Sequence, residues 1–147
     1  MVEIMEWFLV KVKYTKQLDN GNFKRVTEPY LFNAMSFTDA EARAYSEVGE
    51  SVRGEFIVNA ISRETIHDIF NFEDSDVWFK CVVEFITPDD LGRDKKVRHT
   101  IFLNAASVSQ ATERVFEGLK GMLVDFEVKS VSESPVVDVF SYSSVEQ

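Results

Sequence analysis

The chain contains the stretch FNAMSFTDAEAR at residues 32–43 and a near-copy, LNAASVSQATER, at residues 103–114. Five identities recur at a constant spacing of 71 positions, pairing Asn33 with Asn104, Ala34 with Ala105, Ser36 with Ser107, Ala40 with Ala111 and Arg43 with Arg114. Repetition at a fixed spacing is typical of a duplicated structural unit. The stretch therefore predicts a fold built from two copies of one plan.

The repetition extends over nearly the whole chain. Trp7-Phe8 recurs as Trp78-Phe79 and, after a one-residue slip, Asp68 recurs as Asp138. We therefore predict a single domain over residues 1–147, made of repeats at 5–70 and 76–140 and followed by a flexible tail at 141–147. Half-chains of about 70 residues are marginal as separate folds, so we expect the copies to share a core as a pseudo-two-fold pair.

Each repeat is predicted to have the order strand, strand, helix, strand, strand. Alternating polar and apolar residues at 7–14 and 24–34 indicate two strands, and Asn20-Gly21 between them supplies the positive φ of a tight hairpin. Further strands are predicted at 55–62 and 65–70, with second copies at 125–132 and 136–140. The fold class is thus α+β, a tandem ββαββ duplication with antiparallel sheets that each pack one helix.

Both helices have a candidate N-cap. Ser36 lies three residues before Asp39, and its counterpart Ser107 lies three before Gln110. This spacing is typical of a capping box, although Thr38 with Glu41 offers an alternative start for the first helix. Apolar positions at helical spacing predict the inward stripes Ala40, Ala44, Val48 and Val52, and Ala111, Val115, Leu119 and Met122.

Composition narrows the classes of protein. No apolar run is long enough to span a membrane, and residues 1–6 lack a signal-peptide pattern, so we expect a soluble, cytoplasmic protein without membrane partners. Cys81 is the only cysteine, which fits a reducing compartment. The net charge of −9 disfavours loose binding of the whole molecule to polyanions.

No pattern indicates catalysis, a metal or a cofactor. His67, His99 and Cys81 belong to no paired ligand motif, and Cys81 falls on a predicted core face. The serines lie in no Gly-x-Ser-x-Gly elbow, and Gly118-Leu119-Lys120-Gly121 is interpreted as a helix end instead of a phosphate loop. We therefore expect a protein that is not an enzyme and that holds no cofactor.

Two repeated polar pairs have structural and functional interpretations. Asp68 and Asp138 could act as an acid and base or hold a divalent ion, but solvation at an edge strand or binding of a backbone amide is favoured. Asn33 and Asn104 lie where a strand leads into a helix, where ordering the turn is favoured over ligand contact.

The strand face opposite the predicted core carries the main functional signal. Cations and tryptophans gather there in both repeats, namely Trp7, Lys11, Lys13, Arg25, Trp78, Lys80, Lys96 and Arg98. Basic residues beside aromatic rings can track a single-stranded backbone while bases stack on the rings. The alternative is a solvated hairpin face with each tryptophan covered by neighbouring structure.

Three stretches, at residues 7–12, 26–31 and 36–43, resemble a family of uncharacterised short proteins of Bacteroidota and their phages. This resemblance implies a bacterial cytoplasmic or phage-encoded setting. The order of elements is also similar to a circular permutation of the duplicated ββββα plan of Whirly and PUR-repeat proteins, which bind single-stranded nucleic acids. That likeness concerns the fold alone.

Three functions remain in contention. The first is a non-catalytic protein that binds single-stranded nucleic acid through the basic and aromatic face. The second is a protein-interaction or self-assembly module in which exposed edge strands pair with copies of the chain or with another protein. The third is capture of a small ligand such as a nucleotide in a cleft between the repeats.

Overall fold

The computed structural model describes residues 6–142, so the first residue of the predicted repeat 5–70 and residues 143–147 of the predicted tail lie outside the described range. These residues form two helices and eight strands in two sheets. In chain order the elements are β1 (Glu6–Gln17), β2 (Phe23–Ala34), α1 (Phe37–Val48), β3 (Phe56–Glu64), β4 (Asp68–Phe70), β5 (Trp78–Pro88), β6 (Asp94–Asn104), α2 (Val108–Gly118), β7 (Asp125–Ser134) and β8 (Asp138–Phe140). The predicted α+β class and element order are confirmed.

The chain divides into two compact units whose contents differ from the sequence repeats. Among the described residues, unit 1 comprises 6–65 and 135–142, and its sheet has the order β3-β1-β2-β8. Unit 2 comprises Ile66–Ser134, with the order β4-β6-β5-β7. The short strand that ends each sequence repeat therefore lies in the sheet of the other unit.

Antiparallel pairing dominates both sheets, and only the exchanged strands run parallel to their neighbours. β8 pairs with β2 through Tyr30–Phe32, and β4 pairs with β6 through Ile101–Leu103. In unit 1 the exchanged strand contributes the ring of Phe140, which stacks on Phe32 with 4.8 Å between centroids. In unit 2 Phe70 occupies the corresponding place and packs against the core.

One helix covers one face of each sheet, because the sheet residues and the helix residues that meet there are apolar. In unit 1 the buried residues Phe8, Val10 and Val12 of β1 pack with Ala40 and Ala44 of α1. In unit 2 the corresponding layer contains Phe79, Cys81, Val83, Ala111 and Val115. Burying a side chain of this size contributes about 1.5–3 kcal/mol each, so these layers are the main source of stability.

The predicted N-caps are confirmed in both helices. The hydroxyl of Ser36 accepts from the backbone N–H of Asp39, and that of Ser107 accepts from Gln110, both at 3.1 Å. The carboxylate of Asp39 accepts in turn from the N–H of Met35, one residue before the cap. These bonds satisfy amides that the first helical turn leaves without a partner.

The predicted inward stripes are confirmed except at the end of the second. Ala40, Ala44, Val48, Ala111 and Val115 are fully buried. Met122 was predicted to face inward, but its side chain is 48% exposed because α2 ends at Gly118 and the helical spacing no longer applies beyond it.

Candidate functional site

The predicted basic face is present on the β1–β2 hairpin of unit 1. Lys11, Lys13 and Arg25 lie on the face of the sheet opposite α1, where Lys11 is exposed and Lys13 is half-buried. Arg25 donates to the hydroxyl of Thr15 at 3.4 Å. None of these three cations forms an ion pair with another residue in 6–142. Trp7 lies on the same face and is half-buried.

The corresponding face of unit 2 is electrostatically different. Arg98 pairs with Glu84 at 3.2 Å, and Glu84 is 8% exposed. Lys129 of β7 pairs with Glu127 at 2.7 Å, and this pair raises the pKa of Lys129 and lowers that of Glu127. Carboxylates thus compensate part of the positive charge on this face.

Trp78 also differs from its counterpart in unit 1. Its side chain is 3% exposed, so a base could stack on the ring only after the ring was uncovered. Lys80 and Lys96 remain exposed. The two units therefore differ in the surroundings of the predicted cations. Lys80 and Lys96 share their face with the carboxylates of Glu84 and Glu127, whereas the face with Lys11, Lys13 and Arg25 shows no such ion pairs within 6–142.

The repeated asparagine and arginine residues make structural contacts, but the asparagines join separate segments instead of the strand-to-helix turn that was predicted. Asn33 donates to the carbonyl of Glu6, at the start of β1, at 3.3 Å. Asn104, 3% exposed, donates to the carbonyl of Ser75 at 2.9 Å and accepts from the N–H of Phe72 at 2.6 Å. Arg114 donates to the carbonyl of Asn104 at 2.8 Å and lies over the ring of Phe72 at 4.1 Å. These contacts hold the segment after β4 against the end of β6.

We call this arrangement, an arginine bound to a strand-end carbonyl and stacked over an aromatic ring, an arginine clamp. Unit 1 has a second arginine clamp with a different aromatic residue. Arg43 donates to the carbonyl of Asn33 and to that of Ser141, and lies over the ring of Tyr142 at 4.3 Å. Tyr142 also donates to the carboxylate of Asp39. The first residues of the predicted flexible tail are therefore bound to α1.

Asp68 and Asp138 act on their own backbone. Each carboxylate accepts from the amide of the next residue, Ile69 at 2.9 Å and Val139 at 2.8 Å. Cys81 is buried, and burial raises the pKa of its thiol to about 11, so at neutral pH it is an unreactive core residue. The favoured structural interpretations of these residues are confirmed.

A histidine pair in unit 2 was missed by the sequence interpretation, which treated the two histidines as scattered. The rings of His67 and His99 stack with 4.1 Å between centroids and an interplanar angle of 5°. The N–H of Thr100 donates to Nδ1 of His67 at 3.0 Å, and the N–H of His67 donates to the carbonyl of Thr100 at 2.8 Å. Parallel entry of the exchanged strand creates this contact.

A pocket of about 310 Å³ opens beside His99. It is lined by Phe85, Thr87, Val97, His99, Met122 and Val124. The ring of His99 meets that of Phe85 edge-on at 4.9 Å. Burial, and then the neighbouring His67, lower the pKa of His99, which favours a neutral imidazole at this site.

Unit 1 has a polar group at the place of the histidine pair. Glu28 accepts from the hydroxyl of Tyr14 at 2.9 Å and from that of Tyr30 at 3.3 Å. Burial, together with the Glu28 hydrogen bond and charge, raises the pKa of Tyr14 to about 12. Burial and the Glu28 charge also raise that of Tyr30.

A groove lies between α2 and the edge strand β7. Its volume is about 540 Å³, and it is lined by Val108, Thr112, Phe116, Phe126, Glu127, Val128, Lys129, Ser130 and Val131. Val108 and Phe116, on one side of α2, are each 51% exposed. Within the described residues, β7 pairs only with β5, so its other edge is open.

The matching edge of unit 1 carries a tyrosine at one position. The ring of Tyr45 stacks on Phe56 of β3 at 5.3 Å, and its hydroxyl accepts from the backbone N–H of Val58 at 3.2 Å. Phe116 occupies the corresponding place in unit 2 and has no hydroxyl. The two units therefore differ in whether a side chain binds an amide of the edge strand at this position.

The described range, 6–142, contains no group of three or more His, Cys, Asp or Glu side chains that could hold a metal ion. None of its helices is long and apolar enough to cross a membrane.

Comparison with known proteins places the chain in a family. The profile of the family described as Domain of unknown function (DUF4494) matches residues 6–142, so the chain belongs to this family. No curated protein and no solved structure matches the chain.

Proposed function

We propose that the protein is a non-catalytic interaction module that self-associates by pairing the β7 strands of two copies. The observation that supports this proposal is the open edge of β7 beside an apolar groove. The equivalent edge of β3 carries the hydroxyl of Tyr45 on the amide of Val58. An unprotected edge strand presents a row of N–H and C=O groups that another strand can bind.

The composition of β7 supports a second copy as the partner. If two β7 strands run antiparallel around a two-fold axis at Val128, Glu127 of each copy lies opposite Lys129 of the other. Opposite charges across a strand pair contribute about 0.2–1 kcal/mol per pair, and like charges oppose pairing. In this register Glu127 and Lys129 would exchange the ion pair that they form within one chain for pairs between chains, and a two-fold contact closes as a dimer.

Exposed apolar residues would add to the strand contact. Val108 and Phe116 flank the β7 edge and would be covered by the incoming strand, although each is half-exposed in the single chain. The net charge of −9 opposes association of two copies, so the dimer is expected to strengthen as salt rises.

Charge exchange within β7 tests the register. Sedimentation over a range of concentrations should give a dimer for the wild type, a single chain for Lys129→Glu, and a restored dimer for the double variant Glu127→Lys/Lys129→Glu. Lys120→Glu is the matched control, because it changes the net charge equally at an exposed site and should still dimerise. A wild type that is a single chain at every concentration would overturn the proposal, as would a monomeric control.

A second candidate function is binding of single-stranded nucleic acid, supported by the uncompensated cations of unit 1. Lys11, Lys13 and Arg25 share one face of the hairpin without carboxylate partners in 6–142. Three phosphate contacts would give a slope of about −2 in a plot of log affinity against log salt. The likeness to Whirly proteins and the setting in Bacteroidota or their phages, both expected from the sequence alone, favour this candidate.

Oligonucleotide titrations at two salt concentrations test this candidate. The double variant Lys11→Glu/Lys13→Glu should abolish binding of a fluorescent oligonucleotide. Lys80→Glu/Lys96→Glu, with the same charge change in unit 2, should reduce it less. Equal losses in both variants would show a diffuse charge effect, and absence of salt dependence would exclude phosphate contacts.

A further inference from the structure

The pocket beside His99 has the size and walls of a site for a small molecule. Its volume of about 310 Å³ is at the lower end of the range for ligand pockets, about 300–1,000 Å³. Phe85, Val97, Met122 and Val124 make its walls apolar, and the polar lining groups are those of Thr87 and His99. A pocket with apolar walls and few polar groups fits a compact ligand that makes one hydrogen bond.

The imidazole of His99 is held in position before any ligand arrives. One face of its ring is covered by His67, and its other contact is the edge-on ring of Phe85. His67 is itself fixed by two hydrogen bonds to the backbone of Thr100. A pre-positioned polar group loses little entropy on binding, which is the usual advantage of a preformed site.

The lining favours an aromatic ligand over an aliphatic one. Phe85 offers a ring for edge or offset stacking, and the thioether of Met122 makes favourable contacts with ring edges. A neutral imidazole, favoured here by the lowered pKa of His99, donates or accepts a hydrogen bond but offers no charge to a carboxylate.

Unit 1 does not repeat this chemistry. Its comparable pocket, of about 320 Å³, has no imidazole, and its lining combines the apolar Phe23 and Val52 with polar and charged residues that include Lys16, Gln17 and Arg53. The apolar walls with a single imidazole are therefore a property of unit 2 and do not come from the shared frame.

We propose that the pocket lined by Phe85, Val97, His99 and Met122 binds a small neutral aromatic molecule that carries one hydrogen-bonding group, such as an indole or a phenol. The ring would lie between Phe85 and Met122, and its polar hydrogen would bind the imidazole of His99. This site is independent of the β7 edge and of the cations of unit 1.

Methyl NMR of methionine-labelled protein tests the site with indole as the probe. The methyl signal of Met122 should shift on titration. That of Met35 serves as an internal control because it lies in unit 1 and is similarly exposed, 45% against 48%. Hexanoate, an aliphatic acid of comparable size, should bind more weakly than indole.

Two variants distinguish specific binding from general adsorption. Val97→Phe fills the pocket and should abolish the indole shift, whereas Val26→Phe at the equivalent position of unit 1 should leave it unchanged. Val124→Phe replaces Val97→Phe if that variant loses the folded spectrum. His99→Phe keeps the ring stack, removes the hydrogen bond and should weaken binding by roughly fivefold.

The remaining outcomes contradict the proposal. Equal shifts of Met35 and Met122 would indicate adsorption to exposed apolar surface. Tighter binding of hexanoate would exclude the aromatic class, and no shift of Met122 with indole would exclude the site itself.

Discussion

Units 1 and 2 have corresponding strands and helices but different polar side chains at several corresponding positions. At one corresponding place unit 1 has Glu28, bound by the hydroxyls of Tyr14 and Tyr30, and unit 2 has His99 stacked on His67. The residues that recur between the units cap helices, clamp strand ends and fill cores. Candidate sites occur where the units differ, so in this chain repetition identifies structure and divergence identifies candidate function.

The edge strands β3 and β7 also differ between the units. The hydroxyl of Tyr45 in α1 accepts one backbone N–H of the edge strand β3, whereas Phe116 of α2 has no hydroxyl to offer to β7. The two edges therefore differ in one side-chain hydrogen bond to the backbone.

The largest expected effect tests whether the two cores are equivalent. Phe8 is fully buried and Phe79 is 2% exposed, so Phe8→Ala and Phe79→Ala should each lower the free energy of unfolding by about 3–5 kcal/mol. Urea unfolding measures the loss, and hydrogen exchange assigns it to a unit. A loss of less than about 1 kcal/mol in one variant would show that the cores are not equivalent.

Replacing the arginine of either clamp should have the next largest effect on the free energy of unfolding. Arg43→Ala and Arg114→Ala each leave a strand-end carbonyl without its donor and should cost roughly 1–3 kcal/mol in urea unfolding. Arg53→Ala, at an exposed arginine, should change stability by less than about 0.5 kcal/mol. If only one clamp matters, the parallel between the units fails at this position.

The helix caps provide a smaller paired test. Ser36→Ala and Ser107→Ala each remove a hydroxyl that accepts a first-turn amide, and each should cost about 1 kcal/mol in thermal or urea unfolding. Asparagine at either position should retain most of the stability because its side chain also accepts this bond. Loss of stability with asparagine equal to that with alanine would contradict the capping role.

Alkaline pH should destabilise unit 1. The folded pKa of Tyr14 is about 12, above its unfolded value of about 10, so its contribution to stability is present below pH 10 and is lost as pH rises through 12. Glu28→Gln removes the charge and should move the pKa of Tyr14 downward in an ultraviolet titration. A titration unchanged by Glu28→Gln would show that burial alone sets the shift.

Mild acid should destabilise unit 2, and this loss of stability should be the smallest of the expected effects. The folded pKa of His99 lies below the unfolded value of about 6.5, so the unfolded chain binds more protons and stability falls as pH drops through 6.5. The ring of His67 stacks on that of His99. Unfolding between pH 7.5 and 5.5 should show a smaller loss for His99→Phe than for the wild type, and an equal loss would exclude His99 as the cause.

The sequence predicted the local elements because they depend on local signals. Alternation placed the strands, and Ser36 and Ser107 marked the helix starts with the hydrogen bonds that the structure shows. Gly21 adopts the positive φ of 87° that the hairpin was predicted to need.

The sequence could not predict which of the two sheets each short strand joins. Asp68–Phe70 and Asp138–Phe140 have nearly the same pattern, so either strand suits either sheet equally well by sequence. The His67–His99 contact depends on that choice and was therefore missed. Likewise, alternation indicated the face on which Trp78 lies but not that its ring is 3% exposed.

The exchange of β4 and β8 has a consequence for protein expression. Residues 1–72 alone would lack the strand that supplies Phe140, and residues 73–147 alone would lack the strand that supplies Phe70. Neither fragment is a complete folding unit, yet the two together contain every strand. Co-expressed fragments should therefore complement one another, and the covalent linkage in the natural chain makes this assembly independent of protein concentration.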